Sequence, residues 1–317
     1  MTQFKEILME QNMLFWIVFS AIVAVTLVVD LAFVNKHPHK AKMRESVIWT
    51  CVWISFALLF NAFLFYEKGA DPAMQFLTGY ILEYSLSVDN LFVFIMIFAA
   101  FGVPAIYQHR VLFWGILFAI VCRVLFIVGG VALVSRFEWI LYIFGAFLIF
   151  TGIKMAIKHD DEEKHPEDNI LVRFASKIFP VEKKIASEKF FLVKKGKLVA
   201  TPLVLVLIAV ETSDIVFAVD SVPAVLSVTT DPLIAVTSNI FAIMGLRSLF
   251  FILSGALSAF RYLSHGLAVI LTFIGVKLCI VHFVHVPVWL TLTVVISVLA
   301  VSVFASLLVG PKPTAKK

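Results

Sequence analysis

The stretch Glu83-Tyr-Ser-Leu-Ser-Val-Asp89-Asn90 has a counterpart later in the chain, Asp214-Ile-Val-Phe-Ala-Val-Asp220-Ser221. In each, a carboxylate and five intervening residues precede an aspartate that is followed by asparagine or serine. Both stretches lie inside runs that are apolar enough to enter a lipid bilayer. A carboxylate at membrane depth is costly to bury and usually marks a pathway for ions or protons. Two copies in one chain predict an internal repeat with a shared site between the copies.

The composition indicates a membrane protein with several spans. Of the 317 residues, 61% are hydrophobic and 15% are charged, whereas a soluble domain is about a quarter charged. The mean hydropathy is +1.01. The three cysteines lie in apolar runs without paired spacing, which argues against a disulfide framework or a zinc finger. The net charge of +5 comes from bases in loops, so it indicates membrane topology and no nucleic-acid partner.

We predict an all-α, polytopic membrane protein with about nine transmembrane helices, since nine apolar runs could each cross a hydrocarbon core of about 30 Å. They cover approximately residues 12–34, 47–66, 73–100, 110–134, 138–157, 200–225, 233–257, 263–284 and 287–309. The N-terminus carries no basic region or cleavage site of a signal peptide. Lys and Arg concentrate in alternate loops, which places the N-terminus outside and the C-terminus in the cytoplasm.

The similarity between the two halves extends beyond the acidic stretches. Residues 118–126, which contain Arg123, resemble residues 241–250, which contain Arg247, and Phe150-Thr-Gly-Ile-Lys154 resembles Phe273-Ile-Gly-Val-Lys277. Each half has three spans, so the second half must enter the membrane from the opposite side, as a 3+3 inverted repeat. The predicted units are two N-terminal spans (1–66), repeat 1 (67–157), a charged cytoplasmic linker (158–199), repeat 2 (200–285), and a final span with a basic tail (286–317).

The linker is the one sizeable polar segment. Its end, residues 190–200, has the pattern of a β-hairpin that turns at Lys195-Gly196. The segment is interpreted first as a solvated connection between the two membrane halves, with a regulatory domain as the alternative.

Five acids and two arginines lie near the middle of the predicted membrane, which leaves three excess negative charges if all are ionised. Unpaired carboxylates in a low dielectric bind a cation or take up protons. The surrounding oxygen donors suit Mg, Ca or Mn better than Cu(I) or Zn. The candidate metal ligands are Glu83, Asp89, Asn90, Glu211, Asp214 and Asp220. The supporting polar or charged partners are Arg123, Arg247, Asn239, Ser213, Ser221 and Lys277.

Helix geometry leaves the role of Asp220 open. It lies six residues after Asp214, which places the two side chains about 120° apart on a regular helix. Either the span is unwound or kinked near Asp220, ahead of Pro223, which would add carbonyl ligands, or Asp220 pairs with an arginine while Glu211 and Asp214 hold the cation. All five acids could also form structural salt bridges only. The arginines are interpreted as internal counter-ions rather than as ligands of an anionic substrate.

The quoted motifs resemble the TerC family of integral membrane proteins, and its Alx-like branch in particular, over nearly the whole chain. The most specific parts are Glu83-x5-Asp89-Asn90, residues 210–223 and Phe150-Thr-Gly-Ile-Lys154. The resemblance implies a bacterial inner-membrane protein linked to tellurium resistance and alkaline response. It also implies Mn²⁺ export. Tellurite is an oxyanion that would need converging arginines, so a direct role in its binding fits this acidic core poorly.

The residues therefore predict a transporter of a hard divalent cation, with proton exchange as the expected coupling, and the resemblance to the TerC family implies that the cation is Mn²⁺ and that it is exported. The partners of the transporter are the lipid bilayer, the divalent cation and protons, and no cofactor is expected to be permanently bound. The alternative is a non-transporting membrane scaffold or stress-response component linked to tellurium resistance. No catalytic motif or nucleotide-binding loop is recognised, so the protein is not expected to be an enzyme.

Overall fold

The computed structural model describes residues 13–28, 43–137, 139–157, 189–194, 197–256, 262–280, 283–284 and 286–309. Some side chains within these ranges, that of Asp89 among them, lie outside the description. The described part forms helices and one short hairpin. The helices are α1 (Met13–Val28), α2 (Met43–Lys68), α3 (Ala70–Ala100), α4 (Ala105–Arg136), α5 (Ile140–Ile157), α6 (Pro202–Leu226), α7 (Pro232–Met244), α8 (Leu246–Ala256), α9 (Leu263–Cys279) and α10 (Val288–Val309).

Six of these helices, namely α2 to α6 and α10, are long and apolar enough to cross a membrane. A seventh span results if α7 and α8, which are bent by 41° at Gly245, are counted together. The described parts of α1 and α9 are shorter apolar helices. Where the sequence predicted nine spans, the described helices thus give six or seven. The predicted seventh span, 233–257, is broken because a glycine inside a helix provides little intrinsic helix stability.

The centre of the molecule is built from both halves of the chain. Helix α3 packs on α6 and α7, and α4 packs on the same two helices. Helices α5 and α9 make their most extensive contact with each other. Apolar side chains such as Leu59, Leu125 and Phe304 point outward with about two-thirds of their surface exposed, at 66%, 67% and 64%. Such outward faces suit a lipid environment, where helices satisfy their own backbone hydrogen bonds.

Helix α6 carries the second acidic stretch and is continuous from Pro202 to Leu226, with Pro223 inside it. The predicted unwinding near Asp220 is therefore wrong. A proline removes a single N–H donor, and neighbouring helices in a membrane bundle can keep such a helix intact. Because the helix is regular, residues seven apart share a face, whereas residues six apart do not.

Two connections bear on the predicted organisation. The turn between α3 and α4 contains Gly102, whose φ of 59° is a conformation that favours glycine. Before α6, β1 (Phe191–Lys194) pairs antiparallel with β2 (Lys197–Ala200), and Lys194 lies opposite Lys197. These strands lie where the sequence pattern placed a hairpin. The turn residues 195–196 and most of the linker lie outside the described residues.

Candidate cation site

Arg123 lies at the centre of a polar network between α3, α4, α6 and α7. Its side chain is 1% exposed. Its Nη1 atom is 2.5 Å from Oε2 of Glu83, which is completely buried. The other oxygen of Glu83 accepts a hydrogen bond of 2.9 Å from Ser87, one helical turn further along α3. Both oxygens of this carboxylate are thus engaged, so Glu83 neutralises the arginine.

The second half of the chain supplies the remaining partners of Arg123. Its Nη1 donates hydrogen bonds to Oγ of Ser221 on α6 and to Oδ1 of Asn239 on α7, the latter at 3.1 Å. Its Nη2 lies 3.9 Å from Oδ1 of Asp214. Asp214 and Ser221 are seven residues apart, so a regular helix presents both toward α4. We call Arg123, Glu83, Asp214, Ser221 and Asn239 the Arg123 network.

A small cavity lies beside this network. Its volume is about 20 Å³, and its walls come from α3, α4, α6 and the start of α8. The charged residues in its wall are Glu211 and Asp214, and the other lining residues are apolar or glycine. Both oxygens of Glu211 and Oδ2 of Asp214 are buried without a hydrogen-bond partner among the described residues. We call this space the Glu211 cavity.

The charge of the four described groups Glu83, Asp214, Glu211 and Arg123, taken together, is unbalanced. Glu83, Asp214 and Glu211 provide three carboxylates, and Arg123 provides one guanidinium. If all are ionised, two negative charges remain without compensation. A buried carboxylate without a partner is strongly disfavoured in a low dielectric, so it either takes up a proton or binds a cation. The Glu211 cavity is therefore chemically suited to a small cation, to a proton, or to both in turn.

Some of the predicted site residues lie away from this centre. Asp220 accepts a hydrogen bond of 3.3 Å from Thr151 on α5, and its other electrostatic neighbour is Lys154. The structure therefore does not support the predicted alternative, in which Asp220 pairs with an arginine. Lys277 donates to the backbone oxygen of Ser227 at 3.0 Å. Ser213 donates to the backbone of its own helix, at Ala209.

The remaining predicted residues lie on α3 and α8. Asn90 is buried on α3, with 6% of its surface exposed. Asp89 precedes it on the same helix, but its side chain lies outside the described part of the structure. Arg247 is the second residue of α8, immediately after the bend at Gly245, and is partly buried. Among the described residues, no three His, Cys, Asp or Glu side chains form a group that could hold a metal ion.

Several residues near the site were not singled out from the sequence. Ser87 could have been, because it follows Glu83 by four residues and so shares its helix face. Thr151 lies inside a quoted motif, but nothing in the sequence indicated that it faces Asp220. Gly115 is 3.3 Å from Glu211 when a Cβ atom is built on it, and a glycine in a membrane helix carries no sequence signal for such a contact.

The fold and the site define a class of protein: an integral membrane protein with several helical spans and a buried charged network between its two halves. The chain belongs to the TerC family, since the model of the "Integral membrane protein TerC family" matches residues 68–313. The resemblance inferred from the motifs is thereby confirmed. No solved structure is significantly similar.

Several bacterial proteins are similar to this chain along almost their whole length. An uncharacterized membrane protein of Myxococcus xanthus is 47% identical over 293 residues, which cover 92% of each chain. A protein of Escherichia coli K12, named as a proposed membrane-bound redox modulator, Alx, is 49% identical over 298 residues, covering 91% of this chain and 92% of its own. An uncharacterized membrane protein of Rickettsia bellii is 39% identical over 294 residues, or 92% and 97% of the two chains.

Proposed function

We propose that this protein exports a hard divalent cation, Mn²⁺ first among the candidates, in exchange for protons. The observation that carries the proposal is the Glu211 cavity. Three carboxylate oxygens, two from Glu211 and one from Asp214, are buried beside it without a described hydrogen-bond partner. A divalent cation would neutralise the two charges that Arg123 leaves uncompensated. It would also supply the missing contacts of these oxygens.

The donor atoms favour a hard cation. Carboxylate and amide oxygens suit Mg²⁺, Ca²⁺ and Mn²⁺, whereas soft metals prefer thiolates. No cysteine lines the Glu211 cavity in the described structure. The choice of Mn²⁺ within the hard group rests on the resemblance to the TerC family. The bacterial origin of the relatives supports a location in the bacterial inner membrane.

The proposal includes an inverted repeat of residues 67–157 and 200–285. In this repeat, α3 corresponds to α6, α4 corresponds to α7, and α5 corresponds to α9. The observed contacts support this relation, because α3 packs on α7 as α4 packs on α6. A Cβ on Gly275 would lie 2.6 Å from the backbone oxygen of Gly145, and a Cβ on Gly152 would lie 2.7 Å from that of Ala268. The alignment of Phe150 with Phe273 pairs Gly152 with Gly275 and Gly145 with Ala268, so these are equivalent contacts, as expected near a pseudo-twofold axis.

Proton exchange follows from the chemistry of the ligands. A carboxylate must be deprotonated to bind a metal, so protons and cations compete for the same oxygens. Two glutamates of this region, Glu83 and Glu211, are candidates for carrying the proton. Glu83 is engaged by Arg123 and Ser87, which leaves Glu211 as the better candidate.

A transport assay tests the proposal. The full-length protein in liposomes is expected to move Mn²⁺, and a proton gradient directed against the cation is expected to accelerate the flux. In Glu211→Gln, the Mn²⁺ flux should fall by about tenfold or more, since tenfold requires a loss of only about 1.4 kcal/mol. Glu67→Gln at the exposed end of α2 is the matched control and should leave the flux unchanged.

The alternative is a non-transporting membrane scaffold or stress-response component, and the name of the Escherichia coli relative, a membrane-bound redox modulator, favours a redox role for it. The three cysteines of this chain, Cys51, Cys122 and Cys279, are free thiols, so they are its candidate redox groups. The same assay separates the two functions. If the wild-type protein moves no divalent cation under a pH gradient of either sign, the transport proposal is wrong and the alternative gains support. In that case we expect replacement of the cysteines with serine to abolish the stress phenotype.

A further inference from the structure

Gly115 faces the carboxylate of Glu211 across the interface between α4 and α6. A Cβ atom at position 115 would lie 3.3 Å from Oε1 of Glu211 and 3.6 Å from Cγ1 of Val210. The first distance is shorter than most Cβ contacts in proteins, so the carboxylate would have to move. The missing side chain at Gly115 therefore allows Glu211 its present position beside the cavity.

The other glycines of α4 do not have this role. A Cβ on Gly129 would meet nothing within 4 Å. A Cβ on Gly130 would lie 2.9 Å from a methyl group of Leu226, in an apolar contact. Of the three glycines in this helix, Gly115 alone borders both a charged group and a cavity.

A second observation, an unpaired carboxylate oxygen of Asp214, points to a ligand in the Glu211 cavity. Asp214 is only 5% exposed, it lines the cavity, and its Oδ2 has no hydrogen-bond partner among the described residues. The other Asp214 oxygen lies on the side of Arg123. One Asp214 oxygen thus belongs to the Arg123 network, and the other remains available at the cavity.

We propose that Gly115 determines the size selectivity of the cation site, by setting the width of the cavity opposite the Glu211 and Asp214 carboxylates. The inference rests on the proposed function, because it concerns the same site. Ionic size is the property that would distinguish one hard cation from another at the Glu211 cavity. The carboxylates supply an electrostatic attraction for hard divalent cations, which carry the same charge, and Gly115 supplies the limit on size.

The cavity volume supports this division of roles. A volume of about 20 Å³ is close to the space that one water molecule needs. A cation that enters must therefore lose most of its water shell and take carboxylate oxygens in exchange. Ca²⁺ binds oxygens at about 2.3–2.6 Å and needs six to eight of them, whereas Mg²⁺ binds at about 2.0–2.1 Å. Mn²⁺ is intermediate in size. A narrower cavity would therefore exclude Ca²⁺ first.

Competition for bound Mn²⁺ tests the inference without a transport measurement. The purified full-length protein in detergent is titrated with Mn²⁺, and the free ion is followed by electron paramagnetic resonance. Mg²⁺ and Ca²⁺ are then added as competitors. In Gly115→Ala, competition by Ca²⁺ relative to Mg²⁺ is expected to weaken by about tenfold, the effect that one methyl group has in a closed pocket. Gly129→Ala, in the same helix, is the matched control and should keep the wild-type ratio.

A second variant acts in the opposite direction. Ile116 also lines the cavity, so Ile116→Ala should widen it and strengthen competition by Ca²⁺ relative to Mg²⁺. Thermal unfolding reports whether each variant is folded. If Gly115→Ala does not fold, the ratio in Ile116→Ala decides the question, and a wild-type ratio there overturns the inference.

The outcomes separate this inference from the proposed function. Wild-type binding of Mn²⁺ with unchanged ratios in both cavity variants would overturn the role of Gly115 and leave transport in place. Shifted ratios in a protein that moves no cation across liposomes would support the selective site and overturn export. A wild-type protein that binds none of the three ions would overturn both.

Discussion

The guanidinium of Arg123 connects the two halves of the chain. It is bonded to Glu83 from the first half and to Ser221 and Asn239 from the second. A buried ion pair adds little stability when compared with apolar packing, but removing one partner leaves an uncompensated charge. The structural role of Arg123 is thus to neutralise Glu83 at a depth where water cannot.

We expect Arg123→Met to destabilise the folded protein by about 3–5 kcal/mol, because Glu83 would then be buried without its partner. The double variant Arg123→Met with Glu83→Gln should recover part of this loss. Arg136→Met is the control, since Arg136 is exposed at the end of the same helix. The midpoint of thermal unfolding in detergent reports the stability of each of the three variants. Equal midpoints for Arg123→Met and Arg136→Met would contradict the assigned role.

At the scale of secondary-structure elements, α5 and α9 form the most extensive helix–helix contact in the described structure. Small residues allow this contact, as they do in many membrane helix pairs. A Cβ on Gly152 would lie 2.7 Å from the backbone oxygen of Ala268 and would also collide with the hydroxyl of Thr272. A backbone atom cannot move aside as a flexible side chain can, so the two helices would have to separate.

Gly152→Ala is therefore expected to lower the free energy of unfolding by about 1–3 kcal/mol, the usual cost of overpacking. Gly129→Ala, where a Cβ meets open space, should be neutral or should stabilise α4 by up to about 1 kcal/mol through its helix propensity. Reversible unfolding followed by circular dichroism distinguishes the two variants. An unchanged stability for Gly152→Ala would mean that α5 and α9 can separate without cost.

At the scale of the whole molecule, the Arg123 network lies where the two halves meet, which is where transporters with inverted repeats place their sites. Helices α3 and α4 belong to the first half, and α6 and α7 to the second. In the proposed transporter, a relative movement of the two halves would change access to this region from one side of the membrane to the other.

The proposed inverted repeat makes a topological prediction. Residues 158–198 should lie in the cytoplasm, and the loop before α3 should lie outside, because three spans separate them. Single cysteines are introduced at Ala70 or Asp161 after Cys51, Cys122 and Cys279 have been replaced by serine. An impermeant maleimide added to intact spheroplasts should label position 70 and not position 161.

Two results of this labelling experiment would require revision. Labelling at 161 alone would reverse the orientation of the protein but keep an odd number of spans between the positions. Equal labelling at both positions would contradict three spans in the first repeat, and with it the inverted relation between the halves.

The sequence by itself determined the class of protein and the location of most helices. Runs of apolar residues decide which segments enter a bilayer, and a helix satisfies its backbone hydrogen bonds internally, so both properties are local. The scarcity of charges inside these runs also identified Arg123 as a counter-ion, because a buried arginine needs a carboxylate nearby. The family followed from the same acidic motifs.

Only the tertiary structure decided which of these acids meet. Asp214 and Ser221 face Arg123, whereas Asp220 faces Thr151 on α5. These contacts depend on how each helix is rotated against its neighbours, and that rotation results from packing over entire helix faces. The same is true of the Glu211 cavity, which is bordered by Gly115 on another helix, at a point where a Cβ atom would meet the Glu211 carboxylate. Apolar patterns along one helix contain no information on such a gap, because it forms only where two helices meet.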